Sequence, residues 1–277
     1  MQHSAKVLYL RGCMALNEHR IPSVLKRDWA WLLFRRAKSI LYRRNAVIAS
    51  ALADFKGDAV LDIGAGEGYW LRAFAKQWPC AAIEPNPDLA QFVRDTCGVQ
   101  VWDSLSESPW QPFMSAYSSP VVWLFSVLQY VPDPGQMLRE LHKGSPTGTE
   151  IWMYQPIHQR QILRIYACLF SQWPSYESVQ GRQVVWTWSE LQGLIKGCDW
   201  DIIEHQAAYG KWGILAHELW GIGVLAWGRR FWKPISFLYM IAVLPLVWLF
   251  NQLDARNPPS NVQQANGVWL KLAKKNS

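Results

Sequence analysis

A glycine-rich stretch that directly follows an apolar run most constrains how this chain can fold. Residues 59–63 read Ala-Val-Leu-Asp-Ile, and Gly64, Gly66 and Gly68 follow at intervals of two. This pattern is typical of a buried parallel strand turning into a helix, which we predict over residues 69–77. Glycines in such a turn adopt backbone angles that side chains forbid, and the helix N-terminus attracts negative charge. The sequence therefore predicts a ligand-binding turn here.

The spacing of these glycines decides which kind of nucleotide site is expected. The dinucleotide fingerprint requires its third glycine where this chain has Tyr69, and no Gly-Lys-Ser/Thr of a phosphate-binding loop follows. A second predicted strand, Cys80 to Ile83, ends on Glu84. A carboxylate at that position can accept hydrogen bonds from both hydroxyls of a ribose. The two features together indicate a nucleoside site.

The turn and Glu84 together resemble the class I S-adenosylmethionine-dependent methyltransferases, whose first motif reads hydrophobic-hydrophobic-(Asp/Glu)-x-Gly-x-Gly-x-Gly. The resemblance covers about residues 47–210 and the final strand, and it implies S-adenosylmethionine as the cofactor. Residues 126–134 are similar to the family's segment after the fourth strand. Gln129 and Tyr130 stand there in place of the usual Glu and His, so a role for that histidine cannot be transferred to this chain.

The resemblance also assigns residues to parts of the cofactor. It places Asp62 and the glycine turn at the methionine end, Glu84 at the ribose and Asp103 at the adenine amine. The chain around Phe125 and Ser126, at the end of the fourth strand, is expected to line the same pocket. The predicted cofactor-binding residues are Asp62, Gly64, Ala65, Gly66, Gly68, Glu84, Asp103, Ser104, Phe125 and Ser126.

Transfer of a methyl group from a sulfonium requires neither a metal nor a covalent intermediate, and positioning supplies much of the rate. The five cysteines are scattered and form no C-x-x-C pair, so we predict no metal site, no disulfide framework and a reducing compartment. A hydroxyl acceptor would benefit from a general base, whereas an amine would not need one. His158 is the candidate base, although a lone loop histidine is more commonly a surface or packing residue. His217 with Glu218 is a second candidate pair.

Alternating strands and helices predict an α/β fold with a doubly wound, mostly parallel sheet. The resemblance to the methyltransferase family implies that this sheet has seven strands and that the last strand is antiparallel to the rest. Ser189 is the expected cap of the helix that precedes strand six. We divide the chain into a basic N-terminal helical region (1–45), a methyltransferase core (46–211), a Trp-rich helical insert (212–261) and the last strand with a basic tail (262–277). The predicted third to seventh strands cover residues 99–103, 121–125, 149–155, 200–208 and 267–273.

Positive charge is concentrated at the N-terminus. The chain carries a net charge of +7, and residues 1–44 contain ten Lys/Arg against Glu18 and Asp28, so they account for +8. Residues 26–44 fit a basic amphipathic helix, which would suit an anionic lipid surface or would cover the cofactor pocket. We do not expect nucleic acid to be a partner, because no known nucleic-acid-binding motif accompanies the arginines.

The insert contains two apolar blocks, residues 212–227 and 235–250, and the second is interrupted by Pro245. Sixteen residues are short of the roughly 20 that a membrane-spanning helix needs. If the last strand returns to the sheet, an odd number of crossings is excluded. The insert is then two crossings, a shallow hairpin in one leaflet, or a soluble lid or dimer interface. Most of the insert's tryptophans would suit a membrane interface or a packed lid equally well.

Three functions are compatible with these features. The first is methyl transfer to a hydrophobic or lipid-linked small molecule by a peripheral or monotopic protein on the cytoplasmic side of the membrane. The second is a soluble, cytoplasmic tailoring O-methyltransferase whose insert is a lid or dimer interface. The third is a catalytically silent membrane-associated scaffold, against which the intact glycine motif and Glu84 argue. The identity of the acceptor and the oligomeric state leave no signature in the sequence.

Overall fold

The structure is a computed structural model that describes residues 42–106, 109–158, 160–172, 184–227 and 229–275. The predicted basic helix over residues 26–44 therefore lies almost entirely outside the described residues. The described chain divides into two compact units. One unit contains residues 48–158, 184–207 and 267–275, and we call it the sheet unit. The other contains residues 42–47, 160–172 and 208–266, and we call it the helical unit.

The sheet unit is built on a seven-stranded sheet of order β3-β2-β1-β4-β5-β7-β6. The first five strands are mutually parallel, and β7 lies antiparallel between β5 and β6. The predicted fold class is thus confirmed. The strands are β1 (Ala59–Ile63), β2 (Cys80–Ile83), β3 (Gln100–Trp102), β4 (Pro120–Phe125), β5 (Glu150–Pro156), β6 (Trp200–Ala207) and β7 (Gly267–Lys274).

Helices that flank the sheet begin at side-chain caps wherever a suitable residue is present. Asn86 accepts hydrogen bonds from two backbone N–H groups of the helix that follows it, and Asp133 accepts one from Gln136. The helices are α1 (Tyr42–Ala53), which begins in the helical unit, α2 (Leu71–Phe74), α3 (Pro87–Cys97), α4 (Gln111–Ser115) and α5 (Pro134–Gly144).

The helix after the glycine turn differs from the prediction. We expected residues 69–77 to be helical, but α2 covers only Leu71–Phe74. The flanking residues form turns, and N–H groups reach carbonyls three residues back as well as four, as Ala73 does to Trp70 and Gln77 to Phe74. The predicted bounds of this helix are therefore wrong, and the contribution of its N-terminus to ligand binding stays a prediction.

Two further helices lie between β5 and β6, namely α6 (Arg164–Gln172) and α7 (Trp188–Lys196). The predicted cap of α7, Ser189, is wrong. Thr187 caps the helix instead, because its Oγ1 accepts the N–H of Glu190 while a Glu190 carboxylate oxygen accepts the N–H of Thr187 at 2.7 Å. This reciprocal pair satisfies two N–H groups at once, which a cap at Ser189 could not do.

The helical unit contains α6 and an antiparallel pair of long helices, α8 (Lys211–Trp227) and α9 (Lys233–Arg256). Helix α9 runs without interruption through Pro245 and is 24 residues long, so it extends beyond the 16-residue apolar block at both ends. A proline removes one N–H donor from a helix, and an apolar packing partner can outweigh that loss. Ala216 of α8 and Val243 and Val247 of α9 form the centre of the contact between the two helices.

Two buried carboxylates cap the N-termini of α6 and α8, and each is more than 40 residues away in sequence from the N–H groups that it accepts. The oxygens of Glu218 accept the N–H groups of Ile162 and Leu163 at 2.7 and 2.6 Å, just before α6 begins. Asp254 accepts the N–H of Gly213 at 2.9 Å, in the first turn of α8. Negative charge at a helix N-terminus is stabilising, so both acids have a structural role inside the helical unit.

Candidate functional site

The glycine turn lies at the carboxyl end of β1, where the strand order of the sheet reverses. β1 has β2 on one side and β4 on the other, and ligands of open α/β sheets bind beyond the strand ends at such a point. Gly64, Gly66 and Gly68 have φ angles of 68°, 57° and 65°. L residues with side chains rarely adopt this left-handed region, which explains why glycine occupies all three positions.

The three glycines differ in what a side chain would meet. A Cβ on Gly64 would lie 2.8 Å from a methyl group of Val127, and one on Gly68 would lie 2.8 Å from Sγ of Cys97. These two glycines are thus required for packing as well as for backbone conformation. A Cβ on Gly66 would meet no atom within 4 Å among the described residues. Gly66 therefore borders open space, as expected of a backbone segment that a ligand approaches closely.

Glu84 lies directly beside this turn. Its Oε2 accepts the N–H of Gly66 at 2.7 Å and its Oε1 accepts the N–H of Asn86 at 3.0 Å. A carboxylate offers about four lone-pair positions, so each oxygen keeps one for a further donor. The arrangement fits a ribose whose two hydroxyls donate to the same carboxylate. The predicted ribose-binding residue and the predicted turn are thus in direct contact.

Asp62 lies behind the turn on β1 and is buried. Burial raises the pKa of its carboxyl well above the ordinary value, and the nearby charge of Glu84 raises it further. Burial also raises the pKa of Glu84, while the N–H groups of Asn86 and Gly66 oppose that shift. The charge of Glu84 therefore disfavours the ionised form of Asp62, and a cationic ligand would offset that effect.

The residues predicted to contact adenine follow β3. The N–H of Glu84 donates to the carbonyl of Trp102 at 2.9 Å, which keeps the end of β3 next to the end of β2. Asp103 comes next and is exposed, so its carboxylate is accessible to a ligand. The Oγ of Ser104 accepts the N–H of Ser106 at 2.9 Å. Ser104 thus stabilises the local turn, and its predicted cofactor contact stays a prediction.

Ser126, at the end of β4, has a left-handed backbone although it is not glycine, with φ of 65°. Its N–H donates to the carbonyl of Tyr154 at 2.7 Å, and its buried Oγ has no hydrogen-bond partner among the described residues. A strained serine with an unsatisfied hydroxyl is costly unless a ligand uses it. The neighbouring ring of Phe125 packs edge-on against Trp70 and stacks on Trp123, with centroids 6.5 and 5.4 Å apart.

The two histidines proposed as bases lie in different surroundings. His158 has φ of 59°, and its Nε2 accepts the N–H of Trp188 at 3.4 Å, at the start of α7. The catalytic role of His158 stays a prediction. His217 is in the helical unit, near the rings of Tyr166 and Tyr209. Its predicted partner Glu218 uses both carboxylate oxygens as helix caps, which leaves the acid poorly placed to act with His217.

Residue-by-residue comparison with the family did not identify a buried glutamine pair in the sheet unit. The Nε2 of Gln155, on β5, donates to Oε1 of Gln129 at 2.9 Å, and Gln155 is fully buried. Gln129 occupies the position of the family's glutamate. Glutamine within the apolar strand 150–156 was the available signal, because a polar side chain in a buried strand needs a partner. Asn86, which supports Glu84 through its N–H, was missed as well.

A family model described as a methyltransferase domain matches residues 34–205, well over half of the chain. No curated protein matches the sequence. Among solved structures, the [4+2]-cyclase SpnF is 12% identical with a TM-score of 0.52, covering 88% of this chain and 82% of that one. The cyclopropane synthase MmaA2 of Mycobacterium tuberculosis is 15% identical with a TM-score of 0.50, covering 79% and 78%.

A third similar structure is phosphoethanolamine N-methyltransferase 2 of Haemonchus contortus in complex with S-adenosylmethionine. It is 13% identical with a TM-score of 0.51, and the match covers 91% of this chain and 59% of that one. At these identities the structures establish the fold, and the family model establishes the family. The open space at Gly66 and the free lone pairs of Glu84 fit the nucleoside cofactor. The chain is an enzyme of the class I S-adenosylmethionine-dependent methyltransferase family, and S-adenosylmethionine is its cofactor.

Proposed function

We propose that this methyltransferase modifies a hydrophobic or lipid-linked small molecule at the cytoplasmic surface of a membrane. One observation carries the proposal. Among the described residues, α9 is the single helix long and apolar enough to cross a membrane by length and composition, with a mean hydropathy of 1.8, and only 22% of that apolar window is buried. An enzyme with such a surface can meet an acceptor that partitions into lipid.

The chain's own residues have separable roles in this proposal. S-adenosylmethionine supplies a methyl group that its sulfonium already activates. The glycine turn and Glu84 hold and orient the nucleoside, and the buried Asp62 favours the positive charge of the sulfonium. His158 is the candidate to accept a proton from a hydroxyl acceptor. An amine acceptor would make His158 dispensable, so activity of His158→Ala reports the class of group that is methylated.

A labelled-cofactor assay tests the proposal. The full chain is incubated with S-adenosylmethionine carrying a labelled methyl group and, in parallel, with vesicles of a total lipid extract or with a water-soluble metabolite extract. We expect label in the organic phase of the lipid reaction and none with the Glu84→Gln variant. Label confined to water-soluble products would overturn the proposal. Label in an apolar metabolite, with the protein in the supernatant at low salt, would favour the soluble tailoring enzyme instead.

A further inference from the structure

Helix α9 exposes large apolar side chains and buries several polar ones, whereas a surface helix of a water-soluble protein exposes its polar face. Its buried face includes Ser236, Asn251 and Asp254, which are polar. At about 100° per residue, the exposed apolar residues all lie on the opposite side of the helix. Those exposed residues are Ile235, Leu238, Ile241, Leu246, Trp248 and Leu249. The exposed residues between 235 and 249 are therefore all apolar, whereas the buried face mixes the three polar residues with Met240, Val243 and Val247.

Hydrogen bonds and close approach hold the buried face of α9 against α8. Ser236 Oγ donates to the carbonyl of Gly223, and the hydroxyl of Tyr239 donates to the carbonyl of Leu219 at 2.8 Å. A Cβ on Gly223 would clash with Met240, so only glycine permits this spacing. Small residues at the contact and polar residues that bond across it are the features by which helices pack in lipid.

Basic residues lie at both ends of α9, and Arg256 is on the outward apolar face whereas Lys233, in the first turn, is on the side of Ser236. Lys233 begins α9 and Arg256 ends it, and both are exposed. They are roughly 35 Å apart at 1.5 Å per residue. The 20 residues between 234 and 253 contain no Asp, Glu, Lys, Arg or His. Phe231, which is 91% exposed, precedes the helix. Basic ends and an uncharged middle suit a helix lying along an anionic surface and, by length alone, a helix that crosses a bilayer.

Helix α8 and the strand order argue against crossing. β6 and β7 are neighbours in one sheet, so the chain leaves and re-enters on the same side of any membrane and a single crossing is impossible. A double crossing would require α8 to span as well. That helix has only 17 residues and carries the exposed His217 and the buried Glu218 near its middle. Placing them at the centre of a bilayer is costly.

We propose that the outward face of α9 lies in the plane of the membrane, at the boundary between headgroups and acyl chains of one leaflet. Lys233 and Arg256 then contact anionic headgroups at the two ends, and Trp248 occupies the interfacial layer. The partner is an anionic lipid surface. This inference deepens the proposed function because it identifies the surface by which the enzyme reaches its acceptor, and its test does not require the acceptor.

Vesicle binding by the full chain tests the inference. Sedimentation is compared for vesicles of phosphatidylcholine alone and for vesicles that also contain phosphatidylglycerol. We expect tighter binding to the anionic vesicles and at least a tenfold loss for the double variant Leu238→Glu/Trp248→Glu, since each residue would leave the lipid. Ile203→Glu is the matched control, because Ile203 is likewise apolar and exposed but lies on β6, and its binding should be unchanged.

A second variant tests the headgroup contacts, and a third tests the orientation. Lys233→Gln/Arg256→Gln should lower affinity for the anionic vesicles by roughly tenfold and leave binding to phosphatidylcholine unchanged. The variant Phe231→Cys is added to sealed vesicles and treated with an impermeant maleimide. Labelling of the peptide that contains position 231 is expected from the side of addition. Protection of that peptide would indicate crossing and would overturn the proposal.

Other results separate the failure of this inference from the failure of the proposed function. Equal vesicle binding of the wild type and Leu238→Glu/Trp248→Glu overturns the inference. A dimer that the same variant dissociates, without any vesicle binding, would identify the face as a contact between two copies and would also overturn it.

Vesicle binding with no lipid product in the labelled-cofactor assay would leave this surface in place and overturn the proposed acceptor. Calorimetry with S-adenosylmethionine should give the same affinity for every variant.

Discussion

Glu84 accepts the backbone N–H of Gly66 through Oε2 at 2.7 Å, so the residue expected to bind the ribose also holds the turn expected to bind the methionine end. The bond joins the ends of β1 and β2, which are adjacent and parallel. Loss of the carboxylate would therefore affect the ligand contact and the shape of the turn together. The predicted ribose contact and the predicted methionine contact therefore depend on the same hydrogen bond.

The first prediction follows from this contact. Glu84→Gln keeps the shape of the side chain but replaces one acceptor oxygen with an NH2 group, which cannot accept the N–H of Gly66 or of Asn86. We expect the affinity for S-adenosylmethionine to fall by about 10- to 100-fold, since hydrogen bonds to charged groups contribute about 1.5–3 kcal/mol. Calorimetry measures this. The control is Glu204→Gln, which removes an exposed ion pair with Lys271 and should leave affinity unchanged.

The second prediction compares two glycines that have similar left-handed backbone conformations. Gly66 and Gly98 both have left-handed φ angles, and a Cβ on either meets no described atom within 4 Å. Alanine at either position should cost about 1–2 kcal/mol of unfolding free energy because of the strained backbone. Only Gly66→Ala should abolish cofactor binding, since Gly98 caps the end of α3. Equal cofactor affinity in the two variants would contradict the assignment of the turn.

The strands were predictable from the sequence to within one or two residues, because the buried parallel strands are short, continuous apolar runs. The final strand, Gly267–Lys274, was predicted as residues 267–273, almost sixty residues after β6, because the family resemblance requires a last strand and this was the best candidate. The glycine turn and Glu84 were singled out because they follow strand ends in a known order, and the structure brings them into contact, while their contacts with the cofactor stay predictions. Local signals therefore sufficed wherever one strand and the residues just after it determine the outcome.

The remaining features depend on contacts that are distant in sequence. Glu218 binds N–H groups 55 and 56 residues earlier, and Asp254 binds one 41 residues earlier. Nothing local to either acid shows that it caps another helix. The sequence also does not show which side of α9 packs against α8, because the helix is apolar almost throughout and its buried polar residues are few. The short α2 reflects competition between turn and helix hydrogen bonds that propensities do not resolve.

The third prediction concerns pH. The pKa of Asp62 is raised in the folded state, so its contribution to stability is present below the unfolded pKa of about 3.9 and is lost as pH rises through the folded value. Asp62→Asn cannot ionise. Its unfolding free energy relative to wild type should therefore increase from acidic to neutral pH by about 1 kcal/mol or more. Urea titrations at several pH values measure this, and a difference from wild type that does not change with pH would contradict the prediction.

The fourth prediction compares two helical glycines. Alanine at Gly223 would clash with Met240 across the α8–α9 contact, and we expect a loss of about 1–3 kcal/mol in unfolding free energy. Alanine at Gly193, which is exposed on α7 with open space around it, should instead stabilise the protein by about 0.5–1 kcal/mol. Denaturant unfolding measures both changes in unfolding free energy, which should be opposite in sign. Stabilisation by Gly223→Ala would show that the helices are not in close contact there.

The last prediction tests the caps of the helical unit by hydrogen exchange. Each oxygen of Glu218 accepts one N–H, and glutamine offers a single acceptor oxygen. Glu218→Gln should therefore speed exchange by at least tenfold at the amide of Ile162 or of Leu163, whichever then faces the NH2 group, since leaving a buried donor unpaired costs about 1–3 kcal/mol.

The reciprocal variant provides the control for that measurement. In Asp254→Asn, exchange should instead accelerate at the amide of Gly213, with Ile162 and Leu163 unchanged. Each acid contacts a different helix start, so the two patterns should not overlap. Uniform acceleration of all these amides in both variants would mean that the helical unit unfolds as a whole when either charge is lost. Site-specific acceleration would establish that each carboxylate stabilises one helix N-terminus, because a general loss of structure cannot produce two complementary patterns.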